Sequence, residues 1–454
     1  MLLSAALPVM EFSEARYAEI ARQILVTGNW VTLWFNDGEP FWGKPPLAFW
    51  SIAVSYLVLG VNELTARLPS LLATIGTGAA LFWWSRTLMT RSTAFNAVLC
   101  YASCVIVLQT AGSVITDPML TLTTTLVMIS FWQAVQMHQK RFAWLMWIAL
   151  ALGLLAKGPV ALVLCGLPCG LWLLIYRPWR AFFSQTHLFF GVLLLVAVAA
   201  PWYYVAESRT PGFWDYFVVG EHFERYIQNE WTGDKYGAVK DRPYGTIWVF
   251  FLIASLPWSL VLFYGLCNAG LRRNLLQKYK QNQTLIVYLL CWTVAPLCFF
   301  TLSSSVLITY VLPCIPPFCL LVAAGMQRGH LTIAIIAVPA FFAISIGTFW
   351  VLYEDHRYNQ WPIIEKYVEL NQTDPGVLIY TGKHRFAPVF YTRGKVRFEN
   401  TETRHGMPDS TFYIAVRDLW LDVQTKRLTP RCQPLMTRNE FTLFYCPAIL
   451  GDVP

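Results

Sequence analysis

Charge is scarce in this chain: only 13% of its 454 residues are Asp, Glu, Lys or Arg, against 56% hydrophobic and 16% aromatic. With a mean hydropathy of +0.46, that scarcity excludes an ordinary soluble globular protein. Tight clusters of His and Cys are missing too, which argues against a metal centre such as structural zinc. No internal repeat or low-complexity tract is visible, so an inverted-repeat transporter, whose halves often match, loses support. The formal charge of +8 is modest and sits in short loops; it excludes a nucleic-acid partner and reads as a membrane-orientation signal. No basic n-region accompanies the apolar start from Met1 to Met10, so it is no signal peptide, and it is too short to span. It reads as a first transmembrane helix cut short at its start.

What the chain does have is long apolar runs. Windows of roughly 18 to 23 residues, enough for a helix to cross about 30 Å of hydrocarbon, lie near 67–87, 93–111, 115–137, 158–176, 186–205, 246–267, 284–302, 306–324 and 331–353. A shorter one at 142–157 brings the expectation to about ten helices. Alternate loops carry Arg86/Arg91, Lys140/Arg141, Arg177/Arg180, Arg272/Arg273/Lys278/Lys280 and Arg328, and short loops rich in Lys and Arg face the cytoplasm. The turn at Asp117, the junction at Lys157, the long segment 206–245, Ser303 to Ser305 and everything after about 354 then share the outer side. The apolar segment 47–61 is short and follows Lys44-Pro45-Pro46, so it is laid along the outer interface.

The expected fold class is therefore an all-α polytopic membrane bundle with a small C-terminal soluble α/β domain. Residues 1–66 form an outer-face loop with interfacial helices, 67–353 the bundle, and 354–454 the soluble domain. Alternating runs at Gly376–Tyr380 and Thr411–Val416 predict its strands. Most of the eleven cysteines lie in apolar runs and read as packing residues. Cys432 and Cys446 lie in the polar tail, where an oxidising side would let them pair.

The outer side also collects the charged residues that could do chemistry. Ser13 can cap a surface helix in which Glu14 complements the dipole and Arg16 meets a lipid headgroup; alternatively Glu11 and Glu14 are general bases and Arg16 clamps an anion. Lys44 sits on a stiff Gly-Lys-Pro-Pro mount and either snorkels or holds an anion. Asp117 before Pro118 has the form of an N-cap with proline in the first helical position, yet ionisable groups at a bundle rim are functional candidates, and the same holds for Lys157. Glu221 and Arg225 stand four apart and could be a plain helical ion pair, with His222 packed beside them. Cations and carboxylates gathered on one face beside hydrocarbon would suit a lipid-linked phosphate substrate, its tail in the bilayer and a carboxylate ready to deprotonate an incoming hydroxyl.

Taken in order, Arg16-Tyr17-Ala18-Glu19-Ile20-Ala21, Lys44-Pro45-Pro46-Leu47 with Trp50, Asp117-Pro118, Lys157-Gly158, the run Glu221-His222 to Arg225-Tyr226, and Tyr310-Val311-Leu312-Pro313 with Pro316-Pro317 resemble bacterial members of the protein O-mannosyltransferase superfamily, which includes the lipid A aminoarabinose transferases. The resemblance runs from about residue 8 to 325. It implies a GT-C glycosyltransferase of the bacterial inner membrane that uses a polyprenyl-phosphate sugar, without a nucleotide sugar, on the periplasmic face. The acceptor would be a lipid A-like lipid, a glycan or a protein, and the resemblance leaves room for a divalent cation. Lys44 and Arg16 would hold the donor phosphate, Asp117 would be a catalytic or acceptor-orienting carboxylate, and Tyr17, Lys157, Glu221, His222, Arg225 and Tyr310 would complete the cavity.

The pattern also departs from the family. The usual Asp-Glu pair reads Ser13-Glu14, with Glu11 displaced by two, so Asp117, Glu14 and Glu11 all stand as candidate bases. A frequent Glu before the lysine is Gly43, and a lysine usual before the tyrosine is replaced near Val306. Those losses point to a different sugar or acceptor from aminoarabinose and lipid A. The competing reading is a transporter or flippase of lipid-linked sugars, which predicts charges near the midplane and on both faces.

Overall fold

Nine of the ten apolar windows coincide with helices or bent helix pairs in a computed structural model, which describes residues 8–11, 13–36, 38–228, 231–237, 242–268, 282–325, 359–382, 384–399, 408–417 and 431–448. The window 331–353, the basic loops at 272–280 and 328, and the apolar start up to residue 7 lie outside the described residues. The chain divides into two compact units, residues 23–339 and residues 2–22 together with 340–454.

In the first unit, Asp117–Val135, Leu188–Arg209, Gln283–Thr301 and the run Ile308–Gly325 are long and apolar enough to cross a membrane. Glu63–Leu88, Arg141–Lys157 and Val160–Tyr176 fill three further windows. Asp117–Val135 is buried along nearly its whole length. Thr121, Thr123 and Thr124 return their hydroxyls to carbonyls one turn back, as Thr121 does to Asp117 at 2.9 Å, which satisfies those three groups within the helix itself. Leu188–Arg209 is the opposite case, with Phe189, Phe190 and Leu193 exposed, as a lipid-facing helix requires.

Two windows are not straight helices. Arg91–Ser103 bends by 66° into Val105–Ala111, and Thr246–Ala254 bends by 101° into Trp258–Cys267. The two breaks satisfy each other: Val105 N–H donates to the Leu256 carbonyl at 3.1 Å, and Trp258 Nε1 donates to Ser103 Oγ at 2.9 Å. Pro257 has no N–H to offer at the second break. A break in a spanning helix persists where neighbouring elements recover the freed backbone groups.

Further along this unit, an aromatic core of Trp84, Trp132, Trp172, Tyr288 and Trp292 ties the helices together, with Tyr288 Oη donating to the Met128 carbonyl at 2.6 Å. The segment before helix Leu47–Leu59 is joined to the long loop 206–245. Trp42 Nε1 donates to Thr210 Oγ1 at 3.1 Å, and Tyr236 Oη accepts from Trp42 N–H at 2.9 Å and donates to the Pro40 carbonyl at 2.8 Å. That seam places Lys44 beside the loop. Leu47–Leu59 has 13 residues, about 20 Å of helix, short of the hydrocarbon thickness.

The second unit holds a five-stranded sheet. Numbering its strands β1 (Val377–Thr381), β2 (Val396–Glu399), β3 (Phe412–Arg417), β4 (Gln433–Arg438) and β5 (Phe441–Cys446), the order is β2-β1-β3-β5-β4. β1 runs parallel to β2 and β3, whereas β5 is antiparallel to β3 and β4. Strand alternation sends Leu378, Tyr380, Tyr413, Ala415, Phe441 and Leu443 to one face, where Ile363 and Tyr367 of helix Trp361–Leu370 cover them. Ile379, Phe412, Ile414, Val416 and Phe444 fill the other face with Cys432 and Cys446, which form a disulfide.

Candidate active site

Seven of the singled-out residues fall in the first unit, and the structure assembles them into two small clusters joined through Lys157. Helix Arg141–Lys157 ends at Lys157 because Gly158 takes φ +80° and turns the chain. A cation in the last turn and an acid in the first turn both complement helix dipoles. Asp117 opens the antiparallel neighbour, and Lys157 Nζ donates to its Oδ1 at 2.6 Å with both side chains nearly buried. Oδ2 takes no hydrogen bond from any described residue. The expected N-cap role is corrected here: Thr116 takes the cap position, without a side-chain cap bond, and the Asp117 carboxylate turns to Lys157. Tyr310, in the 3₁₀ turn Ile308–Cys314, has its ring centroid 4.4 Å from Lys157 Nζ, a cation–π contact.

Glu221 organises the second cluster. It lies in Asp215–Glu224, a π-helical segment; such wide turns are rare and concentrate at functional sites. Arg225 Nη1 donates to both Glu221 oxygens at 2.8 and 3.1 Å, and Lys44 Nζ stands 3.6 Å from Oε2. Arg225 Nε donates to Ser305 Oγ at 3.0 Å, and its Nη1 lies 4.0 Å from Asp234 Oδ2. Tyr216 Oη donates to Glu221 Oε1 at 3.3 Å. Burial pushes the Glu221 carboxyl up, but Lys44, Arg225 and His222 together hold it below the ordinary carboxylate range. The planned helical ion pair is therefore present, but its carboxylate also serves Lys44.

His222 joins the clusters. Its Nδ1 donates to the Phe217 carbonyl at 2.7 Å, five residues back as the π turn dictates, and its Nε2 sits 3.3 Å from the Lys157 carbonyl. Burial holds the imidazole pKa below its usual value, so it is neutral at pH 7. Gly158 is required at this seam, since a Cβ there would stand 2.7 Å from the Phe217 ring and 3.0 Å from His222 Nε2. Asp234, Ser305 and Tyr216 belong to the site without having been singled out. Their one sequence signal is membership of the loops that charge parity groups with Asp117 and Lys157.

Glu11, Glu14, Arg16 and Tyr17 belong to the second unit. There Glu14 Oε2 accepts from Met10 N–H at 3.0 Å, the Arg16 guanidinium lies 5.5 Å from the Tyr17 ring centroid, and Glu11 accepts from two backbone N–H groups. Among the described residues no group of three or more His, Cys, Asp and Glu could hold a metal ion.

Residues 8–217 match the family model of dolichyl-phosphate-mannose-protein mannosyltransferases. The chain is similar to the undecaprenyl phosphate-alpha-4-amino-4-deoxy-L-arabinose arabinosyl transferase of Erwinia tasmaniensis, 34% identical over 318 residues, covering 68% of this chain and 54% of that protein. The protein of the same name from Pseudomonas aeruginosa is 32% identical over 323 residues, covering 69% and 55%. The chain thus spans about half the length of the curated relatives it matches. Its fold is that of ArnT from Cupriavidus metallidurans bound to undecaprenyl phosphate, with a TM-score of 0.75 at 17% identity, covering 98% of this chain and 95% of that one. Family model, relatives and fold agree, and the chain belongs to the GT-C superfamily that holds the protein O-mannosyltransferases and the lipid A aminoarabinose transferases.

Proposed function

We propose that the chain is a glycosyltransferase of the bacterial inner membrane that moves a sugar from a polyprenyl phosphate to a hydroxyl acceptor on the periplasmic face. The observation that carries this reading is the grouping of Lys44, Arg225 and Lys157 around acids at helix ends, in a chain whose relatives are named for an undecaprenyl-phosphate sugar. Lys44 and Arg225 take the donor phosphate, which displaces their contacts to Glu221; two cations on one phosphate stabilise it as it departs. Asp117 receives the acceptor proton through Oδ2 while Lys157 holds Oδ1. The acceptor oxygen bonds to the anomeric carbon from the opposite side as the bond from that carbon to the phosphate oxygen breaks, inverting the configuration. Arg16 and Tyr17 keep the phosphate-holding and cavity-lining roles that the resemblance gives them, and Glu14 stays the alternative base.

The donor sugar is proposed to be neutral rather than amino. A Cβ at Gly43 would lie 2.9 Å from the Phe41 ring, so the carboxylate that relatives often carry before this lysine has neither a side chain nor room here, and a sugar ammonium loses a counter-charge. The acceptor is a lipid A-like lipid, a glycan or a protein. Mass spectrometry of envelope glycolipids and glycoproteins from a deletion strain tests the reading: loss of one sugar that returns on complementation supports it, and an unchanged profile contradicts it.

A further inference from the structure

Both oxygens of Glu11 are occupied by backbone donors. Phe386 N–H donates to Oε1 at 2.8 Å and Ala387 N–H to Oε2 at 2.9 Å, across 375 residues of sequence, with Glu11 only 6% exposed. At the other end of the short helix Phe386–Tyr391, Val9 N–H donates to Tyr391 Oη at 2.8 Å. The same N-terminal stretch then winds directly into helix Ser13–Thr27. Met10 N–H donates to Glu14 Oε2 at 3.0 Å and Ala15 N–H to the Met10 carbonyl at 3.0 Å. A turn later Arg22 pairs with Glu19 through two bonds of 2.8 and 2.7 Å, and a Cβ on Gly394 would lie 3.5 Å from Arg22 Nη2. The stretch from Val9 to Arg22 is therefore fastened along the segment Phe386–Gly394.

We infer that Glu11 is a positioning residue, which docks the N-terminal segment on the C-terminal sheet domain and so fixes where Glu14 and Arg16 point. A carboxylate whose two oxygens accept backbone N–H bonds at a buried seam orients its neighbours; it does not travel to an acceptor hydroxyl. Docking stands on the hydrogen bonds alone, and only its effect on turnover rests on the glycosyltransfer reading.

The test uses the full chain in lipid nanodiscs, with Glu11→Gln and Glu11→Ala measured for amide hydrogen exchange and for transfer. Gln keeps one acceptor oxygen and turns an NH₂ toward the second amide, so exchange at Phe386 and Ala387 speeds in both variants, more in the Ala variant. kcat falls roughly tenfold or more in Glu11→Ala and less in Glu11→Gln, in keeping with misplacement of neighbouring groups. The acidic limb of the pH–rate profile keeps its midpoint, because the base is still present. Tyr391→Phe, which removes the hydroxyl that accepts from Val9, keeps the test open should the Glu11 variants not fold; faster exchange at Val9 is expected. Unchanged exchange overturns the docking, unchanged kcat overturns the positioning role, and loss of the acidic limb in Glu11→Gln makes Glu11 a base instead. Faster exchange in variants of a wild-type chain that transfers no sugar overturns the glycosyltransfer reading and leaves the docking standing.

Discussion

Asp117 opens one helix and Lys157 closes the next, and their side chains meet at 2.6 Å where both are nearly buried. Each charge complements the dipole of its own helix, and each is the partner that makes the other's burial tolerable. The rest of the candidate site is built outward from that pair, through the Tyr310 ring and the His222 contact to the Lys157 carbonyl.

Breaking the pair on one side leaves an unpaired buried charge, a loss of about 3–5 kcal/mol in interior sites. Asp117→Asn and Lys157→Met are each expected to lower unfolding stability by that order, whereas the double variant loses less than the sum. Thermal unfolding of all four proteins in one detergent measures the coupling. Additive losses would show that the pair contributes nothing.

Gly158→Ala adds a methyl group 2.7 Å from the Phe217 ring at a backbone with φ +80°. The strain is about 1–3 kcal/mol for a non-glycine residue held there, and the clash displaces His222. A clear drop in melting temperature, with weaker transfer at unchanged expression, is expected. A wild-type melting curve would contradict the close packing of this seam.

Acid should destabilise the cluster around Glu221 and His222 in two stages. His222 has a folded pKa below its ordinary 6.5, chiefly through burial, so its contribution is full above 6.5 and is lost as pH falls through the folded value. Glu221 follows at lower pH, its contribution present above 4.5 and lost as pH falls through its depressed folded pKa. Melting temperature against pH for His222→Gln should lack the first stage and keep the second. A first stage that persists would assign it to another group.

The Cys432–Cys446 bridge closes a loop of 14 residues, for which chain-entropy arguments give about 3 kcal/mol. Cys446→Ser should make the sheet unit sensitive to limited proteolysis while helices of the first unit stay protected. Equal proteolysis of wild type and variant would remove the bridge from the stability account.

Hydropathy made the spans legible because lipid forces long apolar helices. It could not show the bends at Cys104 and Pro257, because each persists through hydrogen bonds to the other, which lie far apart in sequence. Loop parity placed Lys44, Asp117, Lys157 and Glu221 in one set, and the structure brings them within one connected cluster. Local rules misread Asp117 as an N-cap, since the competing partner stands 40 residues away. They also took Glu221 and Arg225 for part of an ordinary helix, where a π turn lets His222 reach both Phe217 and Lys157. The grip of Phe386 and Ala387 on Glu11 had no sequence signal, because backbone N–H groups carry no residue identity.

The most direct measurement of the central claim is transfer in reconstituted vesicles carrying a labelled undecaprenyl-phosphate sugar, with wild type compared to Lys44→Ala and to Lys140→Ala, whose lysine is exposed ahead of helix Arg141–Lys157. Loss of a charge-assisted contact to the departing phosphate should lower turnover about a hundredfold or more in Lys44→Ala, with Lys140→Ala at wild-type rate. Equal rates in the two variants would remove the phosphate from Lys44 and contradict the proposed reaction centre.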